Sequence, residues 1–67
     1  MNRRPLTIDQ AAEHALTMAL VLAVTANTEM HSRRAVLAAG QLAGSMEPLR
    51  VAQCQTEAKR ILKARYN

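Results

Sequence analysis

Residues 7–27 read TIDQAAEHALTMALVLAVTAN, and the way this stretch folds decides how the rest of the chain is arranged. Thr7-Ile8-Asp9-Gln10 fits a capping box, in which the Thr7 hydroxyl accepts from the Gln10 amide while the Gln10 side chain reaches back. Leu6 and Ala11 occupy the positions of a hydrophobic staple, and Asp9 in the first turn complements the helix dipole. The periodic pattern runs to about Asn27. Asn27-Thr28 is a weak stop, so a helix over 7–31 and a helix broken at this point are both compatible with the pattern.

Placing the residues at about 100° intervals separates two faces. Ile8, Ala11, Ala12, Ala15, Ala19, Leu22, Ala26 and Met30 form a stripe of mostly small residues, which reads as the core face. The opposite face is polar at its ends, through Asp9, Gln10, Glu13, Thr17, Asn27 and Thr28, yet apolar in its middle. Leu16, Leu20, Val21 and Val24 stand there. A contiguous cluster of large apolar groups calls for a cover. Each such side chain is worth roughly 1.5–3 kcal/mol when fully buried. These four residues are therefore the expected anchor for self-association or for a partner. The alternative is a central helix flanked by both of its neighbours within one chain.

Further along, a helix is expected over 32–44, with Ser32 as its N-cap and Gly44 closing it. A third helix is expected over 46–65, with Ser45 available as a cap and Pro48 tolerated in the first turn, where its missing N–H costs nothing. Its core stripe is Val51, Cys54, Ala58, Ile61 and Leu62, and Lys59, Arg60 and Lys63 fall on the far side. Residues 1–5 form a basic N-terminus expected to be flexible. The reading is one all-α domain over 1–67, two or three antiparallel helices forming a hairpin or small bundle, completed by dimerisation.

Composition agrees. The chain has 67 residues, 49% of them hydrophobic, with thirteen alanines, two glycines, two prolines and one aromatic residue, Tyr66. Alanine has the best intrinsic helix propensity, and no stretch alternates as a half-buried strand would. Chains of this size gain little net stability from their own core and usually need a staple. A single cysteine, Cys54, excludes an intrachain disulfide. Association with another chain is the remaining common solution. The Ala- and Arg-rich composition suits a GC-rich bacterial or bacteriophage genome.

Catalytic and metal-binding patterns are not found. His14 and His31 lie far apart, with no second ligand type at i, i+4 from either, and Cys54 falls on the core stripe, where cysteine behaves as a small hydrophobe. No Ser/His/Asp grouping, phosphate-cradling loop or carboxylate pair is present, so neither enzyme activity nor a cofactor is expected. The basic start Met1-Asn2-Arg3-Arg4 followed by the apolar run Ala15–Ala26 mimics a secretory signal, but Asp9 and Glu13 intervene, and a cytoplasmic setting is expected. The twelve residues of that run fall short of the about 20 needed to span a bilayer.

Nine Lys and Arg against five Asp and Glu give a net charge of +4. A helix-turn-helix across Arg33–Gln55 fits poorly, because Gln41 follows the turn glycine where an apolar residue belongs and Pro48 would interrupt the recognition helix. Base stacking normally uses exposed aromatics, and here there is only Tyr66. The expected function is a small regulatory or inhibitory module, a homodimer that binds another protein. Leu16, Leu20, Val21 and Val24 would be its anchor and Arg33, Arg34, Lys59, Arg60 and Lys63 its basic surface. The alternative is a small DNA-binding or nucleoid-type protein acting through backbone electrostatics.

Overall fold

The computed structural model describes residues 8–66, with side chains over 10–65, and every element within that range is a helix. Helix α1 spans Ile8–Thr25, α2 spans Glu29–Gly44 and α3 spans Pro48–Tyr66. The Thr7 cap and the basic N-terminus over 1–5 lie outside the described residues.

The chain breaks after Thr25, and the cap of α2 is Thr28 rather than Ser32. Thr28 is extended (φ −126°, ψ 151°), and its hydroxyl accepts from the His31 amide, with Glu29 in the first turn at the positive end of the dipole. Ser32, one turn further in, does a different job. Its hydroxyl donates to the Ala23 carbonyl at 2.5 Å, satisfying one of the last four carbonyls of α1, which have no partner within their own helix. The other end of α2 also departs from expectation. No glycine among the described residues has positive φ, so Gly44 is not a left-handed cap. Ser45 closes the helix instead, its amide and hydroxyl both donating to the Leu42 carbonyl at 3.2 and 3.0 Å. Pro48 then opens α3 as its first residue.

Helix α1 is central. It packs against both α2 and α3, whereas α2 and α3 scarcely touch each other. The Ser32–Ala23 bond at one end and the meeting of Leu16 with Ala39 further down show that α1 and α2 run antiparallel. One buried residue from each helix, Leu16, Ala39 and Cys54, forms the core cluster, surrounded by half-buried Leu20, Leu42, Met46 and Val51.

This placement reverses the faces expected for α1. Leu16 and Val21 are buried at 1% and 3% exposure, Leu20 is half-buried, and Thr17 is buried with them. Of the four residues expected to face another molecule, Val24 alone is exposed. Conversely, Ala11, Ala15 and Leu22 are exposed, Ala12, Ala19 and Ala26 are half-buried, and Met30 stands 62% exposed. The physical reason is area. A helix covered from two sides gains most by turning its larger side chains inward, since burial is worth about 25 cal/mol per Å² and an alanine methyl offers little. The stripe on α3 is as expected, with Cys54 and Ala58 buried and Val51, Ile61 and Leu62 half-buried.

Two substitutions separate these faces. Leu16→Ala is expected to lower the unfolding free energy by about 2–5 kcal/mol, enough to melt much of a domain this small. Val24→Glu is expected to stay within about 0.5 kcal/mol of the parent. Urea titration followed by circular dichroism reads both values.

Candidate functional site

Several charged residues are paired within the chain. Arg50 in α3 donates to Glu13 in α1 at 2.9 Å, both side chains a little over one-third exposed, and the Cys54 thiol donates to the Glu13 carbonyl at 3.5 Å. These two contacts tie α3 to the first half of α1. Arg33 meets Glu29 one turn back at 2.8 Å on the open face of α2. Arg60 grips Glu57 through two nitrogens, one of them at 3.0 Å. That grip holds the Glu57 carboxyl below its ordinary value and raises the Arg60 guanidinium, in each case chiefly through the side-chain hydrogen bond.

The basic surface expected from the sequence is therefore divided. Arg33 and Arg60 are each engaged by a glutamate of their own helix. Arg34, Lys59 and Lys63 are exposed and form no ion pair with a described residue. Arg33 and Arg34 lie on α2, and Lys59, Arg60 and Lys63 on α3, two helices that scarcely meet.

What the fold presents instead is apolar. Met18, Leu22, Val24, Met30, Val36, Leu37 and Leu49 are between 44% and 69% exposed. Three grooves run among them. The first, of about 590 Å³, lies between α1 and α2, with Ala19, Leu22, Ala35 and Ala38 in its lining and His31 and Arg34 at its edge. A second, shallow and of about 330 Å³, lies on the outer face of α2 alone, between the exposed side chains of Met30, Leu37, Glu29, Arg33 and again Arg34. The third, of about 290 Å³, lies where α2 and α3 fail to meet. Leu16 and Leu20 floor it, Val36 and Gly40 wall it on one side, and Val51 and Gln55 on the other. A methyl group built on Gly40 would touch nothing within 4 Å.

A further cleft of about 510 Å³ between α1 and α3 holds the chemically varied residues Glu13, His14, Cys54 and Glu57. Cys54 is buried there, with its thiol proton directed at a backbone carbonyl. It is a packing residue in this setting, since a nucleophilic cysteine needs an exposed, electropositive site. No group of three or more His, Cys, Asp or Glu among the described residues could hold a metal ion. Among the described residues, no helix is long and apolar enough to cross a membrane.

The surface around Arg34 goes unread in the face analysis because Met30 is assigned to the core. Its signal is nevertheless present in the sequence. Met30, Leu37 and Ala38 stand at i−4, i+3 and i+4 from Arg34, so the apolar neighbours of one cation are legible in the spacing. No family model, curated protein or solved structure matches the chain.

The Glu57–Arg60 grip can be tested by titration. A carboxyl with a depressed pKa favours the folded state above its unfolded value, and that contribution fades as the pH falls through the folded value. Arg60→Ala is expected to return Glu57 upward to the ordinary glutamate range, read from its side-chain carbon shifts by NMR between pH 2 and pH 7.

Proposed function

We propose that this chain is a non-catalytic protein-interaction module, a homodimer that regulates another protein by occupying part of its surface. One observation carries the reading. Among the described residues, two large apolar side chains are buried, Leu16 and Val21, while seven stand at least two-fifths exposed. Covering each of those seven is worth on the order of 1 kcal/mol or more, a large sum against the few kcal/mol that hold a small domain folded.

The second copy belongs in the groove between α2 and α3. No charged residue lines that groove, so two chains of net charge +4 can meet there without bringing like charges together. Gly40 supports the same placement. A glycine inside a helix costs about 1 kcal/mol relative to alanine, and nothing within its own chain crowds the position. A closely packed second α2 does account for it. A two-fold arrangement makes the patch self-complementary.

The partner is then held by the remaining exposed apolar surface, with charged groups at its edge. The lone buried thiol of Cys54 suits a reducing, cytoplasmic setting. Nucleic acid is the weaker candidate. The unpaired cations are divided between α2 and α3, and a phosphate backbone would leave the exposed Leu and Met side chains uncovered.

Light scattering over a concentration series is expected to give the mass of two chains. Gly40→Glu is expected to give the mass of one, with helicity unchanged by circular dichroism. A parent protein that stays monomeric, or a variant that still pairs, would refute the dimer. With a 20-base-pair duplex at physiological salt, binding is expected to be no tighter than the nonspecific range of about 10⁻⁴–10⁻⁶ M. Tighter binding would favour the nucleic-acid reading.

A further inference from the structure

The two grooves that converge on Arg34 have a chemistry specific enough to name their occupant. Arg34 is exposed and lines both, with Leu22 and Ala38 on one side and Met30 and Leu37 on the other. Its sequence neighbour Arg33 is held by Glu29 at 2.8 Å, which also neutralises the one acid at the edge of this surface. Arg34 has no such partner among the described residues. The result is an unpaired guanidinium beside exposed apolar side chains, with Thr25, Asn27 and His31 at the rim.

We infer that this face receives an amphipathic helix of another protein, one carrying a carboxylate with apolar side chains about one turn on either side. The inference rests on the protein-interaction reading above and adds the site and the partner's chemistry. A guanidinium presents a planar fork of donors that matches a carboxylate with two parallel hydrogen bonds. When the flanking side chains exclude water, that pair acts in a lower dielectric and gains strength. Arginine surrounded by water-excluding neighbours is a recurring composition at the energetic centre of protein interfaces. The apolar neighbours also decide the class of partner. Leu22, Met30 and Leu37 gain nothing from a phosphodiester backbone but are covered well by the apolar face of a helix seated in a groove.

Charge complementarity argues against a second copy in this place. The chain has five acidic residues, and Glu13, Glu29 and Glu57 are already engaged by Arg50, Arg33 and Arg60. A chain of net charge +4 therefore has few free carboxylates to offer its own Arg34. An acidic partner has them. The dimer groove, with Gly40 in its wall, is separate from this face, and Arg34 does not line it.

The test is a selection. A display library of 18-residue helical peptides, with leucine fixed at three positions one turn apart and the other positions randomised, is panned against the purified protein. The recovered sequences are expected to concentrate Asp or Glu within one turn of the fixed leucines. Changing that acid to Gln in the consensus peptide is expected to weaken binding by about tenfold or more, as loss of a charged hydrogen-bonded partner does. Arg34→Glu, with helicity checked by circular dichroism, is expected to lose the consensus peptide and to prefer a version with Lys in place of the acid. Amide shifts on binding are expected at Leu22, Arg34, Leu37 and Ala38. The inference is overturned if no peptide is recovered, if acids are not enriched, or if Arg34→Glu binds the consensus peptide as tightly as the parent. It is equally overturned if a 20-base-pair duplex displaces the peptide and moves the same resonances. Peptides that map to the groove beside Gly40 would overturn this site while leaving the interaction module standing.

Discussion

Everything in this molecule hangs on one contact, the meeting of Leu16, Ala39 and Cys54, where a residue from each helix closes on the middle of α1. Alanine and cysteine are small, so α2 and α3 both approach α1 closely, and Leu16 is enclosed from both directions at 1% exposure. The arrangement is economical in a short chain, since one helix acts as the core of the other two. It has a geometric cost. Two helices that lean on a common third need not reach each other, and here they scarcely do. The groove between α2 and α3, and the exposure of Val36 beside it, follow directly from that shared support.

How much of this is legible in the sequence depends on how many sides of a helix are covered. Helix α3 leans chiefly on α1, so its apolar residues fall on one stripe, and periodicity places Val51, Cys54, Ala58, Ile61 and Leu62 correctly. Helix α1 is covered from two sides, and its faces cannot be ranked by counting apolar positions. The alanine stripe is longer, yet the shorter cluster of Leu16, Leu20 and Val21 lies inside, because buried area rather than the number of apolar residues decides. The ends of α2 are a different kind of miss. Thr28 and Ser32 are both acceptable caps by residue type. The choice between them turns on the carbonyl of Ala23, which Ser32 reaches only once α1 and α2 have docked.

The charge pattern shows the same dependence on context. A net charge of +4 suggests a broadly basic surface. Local pairing takes up part of that breadth: Glu29 engages Arg33, Glu57 engages Arg60, and Glu13 engages Arg50 across two helices. For the cations left over, surroundings matter more than number. Lys59 and Lys63 stand on an exposed helical face, as solvated charges usually do. Arg34 stands among leucine and methionine, where a charge is costly to cover without a counter-ion.

The shared support also decides what each outer helix holds on to. Helix α3 is fastened to α1 by the Cys54 and Arg50 contacts to Glu13, and little of it rests on α2. The Ser32–Ala23 bond joins α1 to α2 without any part of α3. Helix α1, which contributes Leu16 to the core and meets both neighbours, shares its contacts with each of them. Cys54 belongs to α3 and is buried against α1, so its thiol is hidden while the two helices stay together. Its reactivity toward a small thiol reagent therefore reads the population in which α3 has parted from α1.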